Sequence, residues 1–226
     1  MRIGCIVPVW NRENFIGSYL EMMQDFDVKC LVTLGSIPWS TYSDGESLEP
    51  DKSELIINKY FPDIEIIKGV YPNHRDSINI GLKKLENCDI IIITDCDMYI
   101  TRKDWDEFIE WIKSNIDRYD VFSINFERMF IEYYYNHNYG TEAKKGGDVP
   151  IVALKPGIEI IRITKAHNDR EIVWDVEGPK WHHMRFCKKN RLDRKCTIPI
   201  DIKDYLPAPD EISSRLIKWK KILEII

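Results

Sequence analysis

Two aspartates one residue apart, Asp95 and Asp97, close the stretch DIIIITDCDMYIT directly after four consecutive isoleucines. Carboxylates at i and i+2 both reach one hard cation if the chain turns between them. Such a pair suits Mg²⁺ or Mn²⁺, which take oxygen ligands and share them with substrate phosphates. By itself a D-x-D pair arises readily in an acidic chain, where it caps a helix or lines a solvated loop. The element that delivers the pair separates these readings. Ile90–Ile93 fit a strand buried on both faces, and such a strand opens at its carboxyl end into the ligand crevice of an α/β sheet.

The flanking sequence predicts the rest of that sheet. Residues 2–9 (RIGCIVPV) read as a buried strand. NRENFIGSYLEMMQ reads as a helix, with Phe15, Ile16, Tyr19, Leu20 and Met23 at helical spacing and Asn11 as its cap. A strand over 28–35 follows, then a loop rich in Ser, Pro, Gly and acid over 36–50. A helix over 51–60, a strand over 64–70 and a helix over 76–86 lead to the isoleucine strand. A helix over 103–116 and a strand over 120–126 come after it. Strands that are apolar throughout, alternating with helices, define an α/β fold with a mainly parallel central sheet flanked by helices. Beyond 127 the pattern becomes aromatic, then polar and glycine-rich, with strand-like blocks at 151–154 and 158–163. No internal repeat or clean linker divides the chain. The reading is therefore one domain: a donor-side half over 1–126, an acceptor-side half over 127–206 and a C-terminal helix over 207–226.

Composition narrows the function classes. A formal net charge of −5 is wrong for a general nucleic-acid binder, which is normally basic. No apolar run is long enough to span a bilayer, and the N-terminal segment lacks the pattern of a secretory signal. Cysteines 5, 30, 88, 96, 187 and 196 form no C-x-x-C pair, and several lie in apolar strands, which fits a reduced, cytoplasmic chain.

IVPVWNRENFI, followed by NHRDSINIGLKKLENCDIIIITDCDMYI, resembles the nucleotide-sugar glycosyltransferases of the GT-A fold, especially their inverting family 2 group. The first stretch is similar to that family's Val-Pro-x-Tyr-Asn strand and turn, with Trp10 in place of the tyrosine. The second is similar to its Asn-x-Gly helix and D-x-D strand, and the order of these motifs is more specific than any one of them. The resemblance implies that Asp97 ligates the metal and that Asp95 contacts the ribose or shares the metal. It places Pro8, Trp10, Asn11, Arg75 and Asn79 around the donor. Trp10 would lie against the base and the Arg75 guanidinium would meet the diphosphate. The family's Asp-containing turn after the second strand is missing, since the sequence there is LVTLGSIPWS, so the base stays unassigned.

The second half resembles the family through VWDVEGPKWHHMR, which is similar to its Trp-x-x-Glu segment. That likeness makes Glu177 the first choice for the base that deprotonates the acceptor hydroxyl, and Asp175 the second. It also makes His182 or His183 a further metal ligand. Adjacent histidines on a strand point to opposite faces, so at most one reaches the site. A zinc site with Cys187 and Cys196 is the competing reading, disfavoured by irregular spacing. Trp39, Tyr133–Tyr135 and His137 are candidates for an acceptor platform, and 140–147 for a lid. Ile212, Leu216, Trp219, Leu223 and Ile226 form a stripe on the tail helix beside Arg215, Lys218 and Lys221. It suits docking on the protein's own body or a neighbouring chain, or else peripheral contact with a membrane.

The function implied is transfer of a sugar from a nucleotide diphosphate donor to a hydroxyl of a glycan, glycoprotein or lipid-linked acceptor, with Mn²⁺ or Mg²⁺. The alternatives are a nucleotidyltransferase and a non-catalytic nucleotide- or carbohydrate-binding domain.

Overall fold

Strand β1 (Ile3–Val9) is paired on both sides, and its side chains alternate between two hydrophobic layers. Cys5, Val7 and Val9 face one layer, and Ile6 faces the other. In the computed structural model, which describes residues 1–36, 50–124, 129–131, 151–162, 165–166, 170–174, 181–183 and 209–226, this pattern extends across the sheet. Strand β2 (Lys29–Gly35) pairs parallel with β1, and β3 (Glu65–Gly69) parallel with β2. On the other flank of β1 lies β4 (Ile90–Ile93), also parallel. Beyond it, β8 (Ile151–Leu154) runs antiparallel between β4 and β6 (Val121–Ile124), and β11 (Glu171–Trp174) closes the edge parallel to β6. The order is β11-β6-β8-β4-β1-β2-β3. The sheet is thus mixed, with β8 alone opposing the common direction. A strand drawn from beyond residue 127 sits in mid-sheet.

Helices cover both faces, which is why the strands are apolar throughout. Helices α1 (Glu13–Asp25), α2 (Ser53–Tyr60), α4 (Arg102–Asn115) and α5 (Asp210–Leu223) supply one layer, while α3 (His74–Lys84) supplies the other. Ile90 and Ile92 point into the first layer and Ile91 and Ile93 into the second, all at most 3% exposed. Each contributes about 2 kcal/mol through burial.

The stretch 89–101 is not one strand. The chain leaves the large sheet after Ile93, turns, and enters β5 (Met98–Ile100). That strand belongs to a separate three-stranded sheet with β12 (Trp181–His183) and β7 (Met129–Ile131). Strands β9 (Ile160–Arg162) and β10 (Lys165–Ala166) form a small antiparallel pair, and Ile160 and Ala166 pack in the α3 layer.

Helix α5 docks on the body of its own chain. Ile212, Leu216 and Trp219 are buried, and the Trp219 ring lies 5.3 Å from Tyr60 and 5.5 Å from Phe61. Its indole N–H donates to Glu21 at 2.6 Å, and Arg215 pairs with Asp25 at 2.7 Å. The stripe considered for a membrane surface or a second chain is therefore spent inside the fold. Among the described residues no helix is long and apolar enough to cross a membrane.

Candidate functional site

The turn after β4 is closed by a hydrogen bond from the Met98 N–H to the Asp95 carbonyl at 2.9 Å. Closure brings two carboxylates to the carboxyl end of β4, beside the end of β1, where the parallel strands diverge in sequence order. A doubly wound sheet places its ligand crevice at such a point. Asp97 is 5% exposed, and Cys96 between the acids is buried in the core.

His74 reaches Asp95 from the first turn of α3, with Nε2 2.9 Å from Oδ1. Burial works to raise the Asp95 pKa, but the charge and hydrogen bond of His74 outweigh it. The neighbouring Asp97 charge raises it further, Arg12 opposes that, and the carboxyl sits below the ordinary aspartate range.

The sequence expectation missed His74 because it started this helix two residues late. Asn73 is the N-cap, accepting from the Asp76 N–H at 3.0 Å, and its Nδ2 donates to the Asp76 carboxylate at 2.9 Å. An Asn followed three residues later by Asp is a legible variant of the capping box, and it places His74 and Arg75 in the first turn.

Other expected residues take up bonds and contacts within the fold. Asn11 is not the cap of α1. It adopts φ 49°, and its Oδ1 accepts from the Asp51 N–H at 3.0 Å, while Asp51 Oδ2 accepts from the Glu13 N–H at 2.9 Å. Arg12 takes the cap position without a side-chain cap bond, and its N–H donates to Ser53 Oγ at 2.9 Å. These bonds pin the turn after β1 to the start of α2. Pro8 lies in β1 opposite Thr33. Trp10, the residue expected against a base, is 2% exposed and packs on Tyr71. The Arg75 guanidinium, expected at the diphosphate, donates from Nε and Nη2 to Asp76 Oδ1 of its own helix at 3.0 and 2.8 Å.

Asn79 clasps strand β9. Its Nδ2 donates to the Ile160 carbonyl and its Oδ1 accepts from the Ile160 N–H, both at 3.0 Å. Two residues on, a Cβ on Gly81 would meet Ile6 Cγ2 at 2.8 Å, so glycine lets α3 approach β1 closely. The Asn-x-Gly motif thus does packing work on both sides of α3.

The register of β12 against β5 puts His183 opposite Met98, one residue from Asp97, and His182 opposite Tyr99. Trp181 anchors this strand, fully buried and edge-on to Phe108 at 5.6 Å. The side-chain roles expected of His182 and His183 lie outside the described residues. So do Glu177, Asp175, Trp39, Tyr133–Tyr135, His137, the 140–147 segment, Cys187 and Cys196. Among the described residues no three His, Cys, Asp or Glu side chains gather into a ready cation site. Two carboxylates are what the described part offers.

No protein-family model matches the chain, and no curated protein matches it. Among solved structures the chain is similar to residues 1–349 of TarS from S. aureus, at 14% identity and a TM-score of 0.47, over 81% of this chain and 60% of that one. It is also similar to glucosyl-3-phosphoglycerate synthase from Mycobacterium tuberculosis, solved with Mn²⁺, uridine diphosphate and phosphoglyceric acid. There the identity is 14% and the TM-score 0.39, over 60% of this chain and 44% of that one. The chain spans less than two thirds of the length of either structure.

Proposed function

We propose that the chain is a cation-dependent glycosyltransferase of the GT-A type, moving a sugar from a nucleotide diphosphate donor to an acceptor hydroxyl with inversion. The observation that carries this reading is the closed Asp95–Met98 turn, which sets Asp95 and Asp97 where β4 leaves the sheet beside the end of β1.

The donor set fits a hard divalent ion, because the carboxylates are oxygen ligands and donor phosphates supply the remainder. Asp97 would hold Mn²⁺ or Mg²⁺, with Asp95 sharing it or contacting the ribose, and His182 or His183 adding a nitrogen. When bound, the ion supplies charge to offset that building on the departing nucleoside diphosphate. His74 fixes the Asp95 carboxylate, and Trp10 with Tyr71 forms a buried wall on the β1 side. Glu177 is the base, with Asp175 the second choice. It accepts the hydroxyl proton as the acceptor oxygen bonds the sugar carbon and the bond to the diphosphate oxygen breaks on the opposite face.

A thermal-shift panel of nucleoside diphosphates with and without Mn²⁺ tests the reading. At least one nucleotide should raise the melting temperature only when Mn²⁺ is present, and Asp97→Ala should abolish that rise. A panel without any metal-dependent stabilisation overturns the proposal. Glu177→Gln should stop transfer and leave the donor-dependent shift in place; retained transfer removes Glu177 as the base.

A further inference from the structure

The Asp95–Met98 turn joins two different sheets, so the separation of its carboxylates depends on how β4 and β5 are held relative to each other. Helix α1 grips both flanks. Before the turn, the Tyr19 hydroxyl hydrogen-bonds the Thr94 hydroxyl, the residue next to Asp95. The same Tyr19 hydroxyl lies 3.4 Å from Cys5 Sγ on β1. After the turn, the Tyr99 hydroxyl meets Ser18 Oγ at 2.6 Å and donates to the Phe15 carbonyl at 3.2 Å. Ser18 Oγ also donates to Phe15 O at 2.9 Å. Only two hydroxyl protons serve these last three contacts, so one proton is shared among them.

Every hydroxyl in this group is shut away from water: Ser18, Tyr19 and Tyr99 are fully buried and Thr94 is 2% exposed. The Tyr19 and Tyr99 rings meet edge-on, with centroids 6.2 Å apart at 78°. Burial pushes the Tyr19 pKa well above the ordinary tyrosine value, so its hydroxyl remains a neutral donor. A core that needed only volume at these sites would be served by phenylalanine and valine. Buried hydroxyls cost desolvation unless each is bonded, and satisfied ones fix a single arrangement.

We propose that Tyr19 and Tyr99 are positioning residues for the acid pair, holding Thr94 and β5 against α1 so that Asp95 and Asp97 are preset for a divalent cation. This rests on the cation-dependent reading of the site. The hydroxyls are buried from solvent and act through the backbone on either side of the turn.

The test compares Mn²⁺ affinity, measured by calorimetric titration of the full chain in the presence of the nucleoside diphosphate that stabilises wild type, with the melting temperature of the metal-free protein. Tyr99→Phe keeps the ring and leaves Ser18 bonded to Phe15. The double variant Tyr19→Phe/Thr94→Val removes both partners together and so leaves no orphaned hydroxyl between them. In each, Mn²⁺ affinity should fall by about fivefold to tenfold, the worth of one ordinary hydrogen bond. That loss should remain well below the melting transition, where the folded fraction is complete. A purely structural role would lower the melting temperature and leave the affinity of the folded protein unchanged, and that result overturns the proposal. Wild type and Asp97→Asn are run alongside. If wild type binds Mn²⁺ and Asp97→Asn does not, unchanged binding by the tyrosine variants sinks the positioning role alone. A wild type that binds no Mn²⁺ beside any nucleoside diphosphate sinks the cation reading and this inference with it.

Discussion

Asp95 and Asp97 are two positions apart, yet their surroundings differ. Asp95 is tied to His74 and partly exposed, while Asp97 is buried at the end of the turn. Replacing His74 by glutamine removes the imidazole that holds the Asp95 pKa down and leaves burial and the Asp97 charge, both of which raise it, against Arg12. Asp95 should therefore titrate at higher pH in His74→Gln than in wild type, read from its side-chain carboxyl ¹³C shift. An unmoved titration would show that His74 does not govern it. A second carboxylate offers a linkage test far from the crevice. Asp89 accepts from the Arg2 backbone N–H at 2.6 Å and from its guanidinium at 3.3 Å, which hold its pKa below the usual value. The stability this adds is fully present above the unfolded aspartate value of about 4 and fades as pH falls through the lowered folded value. Asp89→Asn should thus destabilise the protein at about pH 6 and approach wild type at about pH 2, measured by urea unfolding at each pH. The acid pair itself was legible from its spacing and its strand. His74 was missed because its role depends on where α3 begins, and a cap of one residue decides that.

At the scale of elements, the helix preceding the acid pair is a connector as well as a wall. Asn79 satisfies both backbone groups of Ile160, 81 residues away, and no local pattern announces such a partner. Asn79→Ala should cost about 1–3 kcal/mol in urea unfolding, since it leaves two partly buried backbone groups unpaired. It should leave the Mn²⁺-dependent nucleotide shift of the folded protein unchanged; a selective loss of that shift would show that Asn79 serves the donor as well. The stretch 89–101 carries the same lesson for strands. Its apolar run fixed a buried strand, but an unbroken apolar pattern does not record that Met98 leaves one sheet and pairs with β12 in another.

For the molecule as a whole, α5 is the clamp that returns to α1. Trp219 sits so close over Gly17 that a Cβ there would lie 2.2 Å from its ring. In an exposed helix Gly→Ala stabilises by up to about 1 kcal/mol. Gly17→Ala should instead lower the melting temperature and speed proteolysis of α5, because backbone and a large ring cannot both hold their places. A rise in melting temperature would show that α5 is not seated there. Local spacing determined the alternation of strands and helices, the two-sided burial of the sheet and the position of Asp95 and Asp97 at a strand end, because these follow from the order of apolar and charged residues. It also showed that the tail had an apolar stripe. Only the tertiary structure decided what that stripe covers, where β8 enters the sheet, and that His74 meets Asp95. Those outcomes are set by contacts between residues far apart in the chain, and each of them requires the packed sheet to exist first.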